Sequence, residues 1–202
     1  LQNFVHSNQF HFNQSDLKPE SWNIINPERR NLYQRIGNVC TTLGDYVGDN
    51  IHWGVKTGLT EAFVVDEATK DFLIKKDPNS KKIIKPFLAG VEVKRYHIVS
   101  RKKFVLFTRR GIDIEEYPVI KAHLLKFKDG LVPKKNKDDK IGRKPGPYKW
   151  YEIQDNVAYF KEFEKPKIIF GYTAVGPRFT FDTEGLFLNN SNYIITKADM
   201  KL

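Results

Sequence analysis

The apolar residues of this chain come in short runs cut by glycine, proline or charge. Ala62 to Val65, Phe104 to Phe107, Ile168 to Phe170, Leu186 to Leu188 and Tyr193 to Ile195 each hold three or four residues. Runs of that length, rich in β-branched and aromatic side chains, suit buried strands. The segment Arg178-Phe179-Thr180-Phe181-Asp182 alternates strictly, which places the phenylalanines on one face of a strand and the polar residues on the other. Pro86 sits inside Ile83 to Leu88 and argues against a regular central strand there. Phe4, Phe10 and Phe12 alternate loosely with polar residues and suggest an edge strand.

One stretch has clear helical spacing. Leu32, Ile36, Val39, Cys40, Leu43 and Val47 recur at helical intervals behind Asn26 and Pro27, a suitable cap and first-turn residue. The spacing predicts an amphipathic helix near residues 29–47, broken near Gly44, with Cys40 in the core. A second helix is expected to start near Pro118 and run toward Phe127. The short strands and the few helices predict an α+β fold: a mixed, mostly antiparallel twisted sheet, flanking helices and long loops on one side.

Charge narrows the partner. The 202 residues carry 34 Lys and Arg against 24 Asp and Glu, a formal charge of +10. Such an excess favours an anionic partner. Residues 128–149 hold eight basic and three acidic side chains, half of the whole excess. Gly142, Pro145, Gly146 and Pro147 make this window a loop, and Tyr148, Trp150 and Tyr151 set flat rings beside the cations. A solvated surface loop and a nucleic-acid contact both fit it. A second basic loop, His52 to Thr60, precedes the Ala62 run, which is expected to be a buried strand. Gly54 and Gly58 free its backbone, while Lys56, Thr57 and Thr60 supply a charge and two hydroxyls suited to phosphate. A tight loop leading into a core strand is the plainer reading.

No familiar catalytic pattern is visible. The chain lacks a phosphate-binding P-loop, a dinucleotide glycine fingerprint, an Asn-Pro-Pro-Tyr tetrapeptide and a glycine-flanked serine elbow. Its five histidines have no zinc spacing, and Cys40 is the single cysteine. No metal site and no cofactor are therefore expected in this chain. One cysteine and no long apolar segment suit a cytoplasmic protein without a membrane partner. Leu1 in place of Met suggests a fragment of a longer chain.

Three segments together resemble a known family. His52 to Asp66 looks like the entry motif of the TaqI-like C-terminal specificity domain. Lys85-Pro86-Phe87-Leu88-Ala89-Gly90-Val91-Glu92-Val93-Lys94-Arg95-Tyr96 resembles its second block. Lys165 to Ile169, followed by Phe179 to Asp182 and Gly185 to Asn190, resembles its third. The ordered set spans roughly residues 33–197.

The resemblance implies a target recognition domain of an adenine-N6 DNA methyltransferase or a fused type IIG restriction-modification enzyme. Residues 1–31 would then be a lead-in segment and 32–202 the recognition domain. Double-stranded DNA and an upstream methyltransferase domain are the implied partners. S-adenosylmethionine, and magnesium for cleavage, would belong to the upstream catalytic regions. On this reading Lys56, Thr57, Thr60, Lys94 and Arg95 contact phosphates. Lys134, Lys135, Arg143, Lys144, Tyr148, Lys149, Trp150, Tyr172 and Arg178 belong to the base-reading or groove loops. Two other classes stay open: a sequence-independent RNA or single-strand binder, and a basic protein-interaction domain.

Overall fold

The computed structural model describes residues 2–197 apart from 12, 18, 20, 21, 23, 49, 100, 101, 137, 174 and 175. The chain forms two compact units, Leu1–Gly48 and Asp49–Leu202. Among the described residues no helix is long and apolar enough to cross a membrane.

The first unit holds α1 (Gln2–Asn8), α2 (Pro27–Val39) and α3 (Leu43–Val47). The edge strand expected at its start is a helix, in which Ser7 and Asn8 side chains donate to the carbonyls of Asn3 and Phe4 at 2.8 Å. These polar groups serve helical carbonyls, so loose alternation of Phe4 and Phe10 does not decide the matter. Phe12 lies outside the described residues. The α2 start is as expected, with the Asn26 side chain accepting from Arg29 N–H at 2.9 Å and Pro27 in the first turn.

The expected break at Gly44 falls earlier. Thr42 caps α3 by accepting from Asp45 N–H at 3.2 Å and returning its hydroxyl to the Asp45 carboxylate at 2.6 Å. That competing cap ends α2 at Val39. Cys40 is exposed and no residue of α2 is buried, which overturns the core reading. Spacing marks an apolar stripe but not what covers it.

The second unit is built on two four-stranded sheets and a hairpin. One sheet has the order β1 (Ile51–Trp53), β10 (Asn192–Ile195), β7 (Lys167–Gly171), β8 (Phe179–Asp182), all antiparallel. The other has the order β2 (Val64–Val65), β6 (Lys103–Leu106), β3 (Ile84–Leu88), β9 (Phe187–Leu188), with only β3 and β9 parallel. The hairpin pairs β4 (Val93–Lys94) with β5 (His97–Ile98). Helices α4 (Thr60–Phe63), α5 (Glu67–Lys76), α6 (Pro118–Leu125) and α7 (Lys128–Leu131) complete the set. The α+β, mostly antiparallel class is therefore as expected, with the strands divided among three sheets.

Two local expectations change. The Ala62 to Val65 run is not one strand: Ala62 and Phe63 close a helical turn and Val64-Val65 form β2. Ala62 and Phe63 are fully buried in that turn, so the run meets the burial its composition demands by another route. Pro86 sits in β3, a central strand after all. The Phe107 N–H to Ile83 carbonyl bond sets the antiparallel alternation, which turns the Pro86 nitrogen away from β6. Pairing with β9 starts only at Phe87, so the missing N–H leaves no gap in either ladder.

The core lies between the sheets and α6. Phe187 packs at 4.9 Å from Phe107 and 5.0 Å from Phe163, ring centre to centre. Leu88, Leu106, Ile120, Leu124 and Ile169 surround them, fully buried.

β8 alternates as expected, but its apolar face points outward. Thr180 and Asp182 are 6% and 2% exposed, whereas Phe179 and Phe181 are 41% and 43% exposed. A buried cation explains the inversion. Lys167, paired with Asp182 across β7 and β8, donates to the Asp182 carboxylate and to the Phe163 carbonyl. Asp182 also accepts from the N–H groups of Glu184 and Leu186 at 2.9 and 3.0 Å. Burial pulls the Lys167 ammonium below its ordinary value, and Asp182 opposes that pull.

Candidate nucleic-acid interface

The basic window is a loop held by one buried side chain. Arg143 is 3% exposed, and all five of its N–H groups reach main-chain carbonyls. Its Nε donates to Leu131 at 2.8 Å. One terminal nitrogen serves Thr57 at 2.9 Å and Glu152 at 2.8 Å, the other Lys149 at 3.3 Å and Trp150 at 3.0 Å. The Tyr148 ring lies 4.5 Å from the guanidinium carbon, and the Tyr148 hydroxyl donates to the Lys144 carbonyl. Burial lowers the Arg143 pKa to about 10, so it remains a cation at neutral pH.

This corrects two sequence-derived assignments. Arg143 and Tyr148 are buried and cannot enter a DNA groove; they shape the loop. Gly142 belongs to the same construction: its φ is +112°, and a Cβ there would meet the Val132 carbonyl oxygen at 2.5 Å. Trp150 is half-buried, with Lys128 5.8 Å from its ring centre. Lys135, Lys144 and Lys149 are exposed and Lys134 is half-buried. Lys137 lies outside the described residues. Asp139 accepts from the N–H groups of Asn136 and Lys135 at 3.1 and 2.8 Å, and these bonds hold its carboxyl below the ordinary range.

The Lys56 loop is tied to the same hub through the Thr57 carbonyl. Gly58 has φ +82°, and a Cβ there would meet Arg143 Cδ at 2.7 Å. Its close approach is thus to the protein's own arginine rather than to a ligand. Gly54 is pressed against the Asn189 carbonyl, where a Cβ would come within 2.0 Å. Thr57 is buried, Lys56 is half-buried and Thr60 is exposed. Together with Lys103, Asn189 and Asn190 they line a pocket of about 250 Å³.

Of the remaining candidates, Lys94, Arg95 and Arg178 lie by the β8 edge, whereas Tyr172 sits against Trp53 and Tyr193 on the β1–β10 side of the sheet. Lys94 and Arg95 are exposed on the hairpin, whose turn residue Tyr96 has φ +68°. The Tyr96 N–H donates to the Phe179 carbonyl at 2.9 Å and so fastens the hairpin to β8. Arg178 is half-buried and holds the Thr173 carbonyl at 3.1 Å. Tyr172 is exposed, edge-on to Trp53 at 6.4 Å. Ala174 and Val175, within the expected reading loop, lie outside the described residues.

Two groups of candidates thus emerge, one joined by Arg143 and one by the Phe179 carbonyl. The pocket approaches the hairpin segment through Ala89, which lines it beside Lys56. Sequence reasoning missed Lys103, Asn189 and Asn190. Lys103 lies in a strand and the asparagines in a turn, so no charge run marked them. Among the described residues no cluster of His, Cys, Asp and Glu could hold a metal ion.

The fold and its pinned basic loops define an α+β domain with a cationic, loop-borne candidate interface. More particularly, the chain belongs to the TaqI-like C-terminal specificity domain family, whose sequence profile matches residues 85–202. The His52 to Asp66 block lies before that range. No curated protein sequence matches the chain. Among solved structures, the type IIL restriction-modification enzyme MmeI in complex with DNA is similar, at 16% identity and a TM-score of 0.49. The match covers 74% of this chain and 19% of MmeI, so the chain spans about a fifth of that enzyme's length.

Proposed function

We propose that this chain recognises a specific site on double-stranded DNA and presents that site to a separate adenine-N6 methyltransferase region. The observation that carries the reading is the Arg143 hub. One buried guanidinium holds residues 131–152 against the Lys56 loop, so Lys134, Lys135, Lys144 and Lys149 stand on a fixed frame. A loop that merely solvates charge needs no such fastening. Phosphate contacts from Lys56, Thr60, Lys94 and Arg95 would give salt-dependent, sequence-independent affinity. Lys134, Lys135, Lys144 and Lys149 would add to that grip from their groove-side loop, while side chains of the 172–178 loop would read base edges in the major groove, where each base pair shows its own donor and acceptor pattern.

S-adenosylmethionine, and magnesium for cleavage, would act in the partner region. This chain's part is grip and register. Taking an adenine out of the stack costs a few kcal/mol, and contacts on the flanking duplex help offset it.

A duplex is favoured over single strands by the arrangement of an aromatic row on one sheet. Trp53, Tyr193, Phe170 and Phe179 form a row across the β1-β10-β7-β8 sheet. Phe170 lies 5.2 Å from Tyr193 and 5.5 Å from Phe179 with near-parallel rings. Coplanar rings cannot bring their centres that close, so the three rings stack on one another and the faces of Phe170 are taken up by its neighbours. A single-strand platform needs ring faces turned to the bases. The test is a gel-shift titration with a randomised duplex pool at two salt concentrations, followed by sequencing of the retained fraction. An enriched motif with weaker binding at high salt is expected. No retention at low salt removes the reading.

A further inference from the structure

We propose that the pocket lined by Lys56, Lys103, Thr60 and the Asn189-Asn190 turn is a seat for a single phosphate group. On the DNA reading above, on which its biological source rests, the occupant is one backbone phosphodiester.

Lys56 approaches from its loop, and Lys103 from β6, where it pairs with Phe87. Both are half-buried, and among the described residues neither forms an ion pair. No carboxylate lines the pocket. Two cationic side chains on one carboxylate-free pocket repel one another, and an anion between them relieves that repulsion. Neutral donors stand beside them. The Asn189 Oδ1 accepts from Ser191 Oγ at 2.8 Å and Asn192 Nδ2 at 2.9 Å, which leaves its NH₂ as the group with capacity to give. Thr60 adds an exposed hydroxyl.

The adjoining depression shares Lys103 and includes Glu61 and Asp66. The Asp66 carboxylate is held below the ordinary range first by the Thr69 side chain and then by the Thr69 N–H, from which it accepts at 2.8 Å as the cap of α5. A different pocket, of about 470 Å³, shows what a compensated site looks like here. It holds Lys82, Lys85 and Arg109 but also Asp113 and Glu116, and Lys85 is bonded to Glu164 at 2.8 Å. Size points the same way. A volume of about 250 Å³ falls below the usual range for whole ligands, roughly 300 Å³ upward, and suits one phosphate group rather than a nucleotide.

The experiment has two arms on the full chain. In the first, inorganic phosphate is titrated while backbone amides are followed by NMR. Lys56, Gly58 and Asn190 signals should shift in the parent and in Lys103→Arg, and stay still in Lys103→Met. In the second, duplex binding is measured across a salt series. Lys103→Met should flatten the log–log salt slope by about 0.9 and weaken matched and random duplexes alike, as expected for one lost phosphate contact. Lys103→Arg should keep the parental slope. Unfolding midpoints confirm that the variants fold.

Phosphate shifts without any duplex binding would keep the seat and remove DNA as its source. Duplex binding with unchanged slope and unchanged phosphate response in Lys103→Met would overturn the seat and leave the DNA reading intact.

Discussion

Arg143 has no donor left to give a ligand, so its removal should be felt first in stability. Arg143→Met leaves the carbonyls of Thr57, Leu131, Lys149, Trp150 and Glu152 without that partner. A buried acceptor left unsatisfied costs roughly 1–3 kcal/mol, so the loss should be at least of that order. Chemical denaturation should show that scale. Arg143→Lys should recover only part of it, because an ammonium has three donors in place of a five-donor fork. Equal stability of Arg143→Met and the parent would show that the hub is not a fastening. A second residue-scale effect concerns acid. His123 Nε2 lies 3.2 Å from the Ala62 carbonyl, and burial depresses its pKa below 6.5. The unfolded chain then binds a proton that the fold resists. The penalty is absent well above pH 6.5 and grows as pH falls from 6.5 toward the depressed folded value. Unfolding followed from neutral to mildly acidic pH should therefore fall less steeply in His123→Gln than in the parent. Parallel curves would remove His123 from the account.

Strands and helices were legible to the extent that their signals are local. Asn26 and Pro27 announce the start of α2 because capping involves neighbours within three residues. The Ala62 to Val65 run was not legible, since a helical turn and a strand both bury it. Pro86 misled because the cost of its missing N–H depends on which way the register turns it. The β8 segment shows the limit best. Alternation divides Phe179 and Phe181 from Thr180 and Asp182, but the inner face was chosen by Lys167, a residue of another strand. With its polar face tied inside, β8 gives its phenylalanines to the outer row, where Phe170 stacks between Tyr193 and Phe179. Cross-strand aromatic pairs contribute about 0.5–1.5 kcal/mol each beyond area. Phe170→Ala removes two such pairs and should lower the urea midpoint, by roughly 1–3 kcal/mol in stability from the pairs alone in addition to the buried area lost, with little change in m. A change smaller than a surface substitution would mean that the row adds no stability to the sheet.

For the whole molecule, the cationic loops were legible as composition, but the division of labour among them was not. The five acceptors that recruit Arg143 come from residues 57, 131, 149, 150 and 152, and only folding brings them to one guanidinium. A charge count therefore set Arg143 beside Lys144, although one is buried and the other exposed. If the lysines of the basic window grip phosphates and the 172–178 loop reads bases, the two groups must fail differently. Lys134→Gln, Lys135→Gln, Lys144→Gln and Lys149→Gln should each weaken matched and unmatched duplexes by a similar factor. Each lost contact should reduce the salt slope by about 0.9. Arg178 has one nitrogen on the Thr173 carbonyl and, among the described residues, its other donors have no partner, and Tyr172 stands exposed at the start of the same loop. Arg178→Ala and Tyr172→Ala should leave the slope nearly unchanged and relax discrimination at individual base pairs, by about 1–3 kcal/mol per lost bidentate contact. Competition binding with singly substituted sites, repeated at several salt concentrations, measures both quantities in one series. If every variant alters slope and none alters discrimination, the loops hold DNA without reading it, and the specificity role falls.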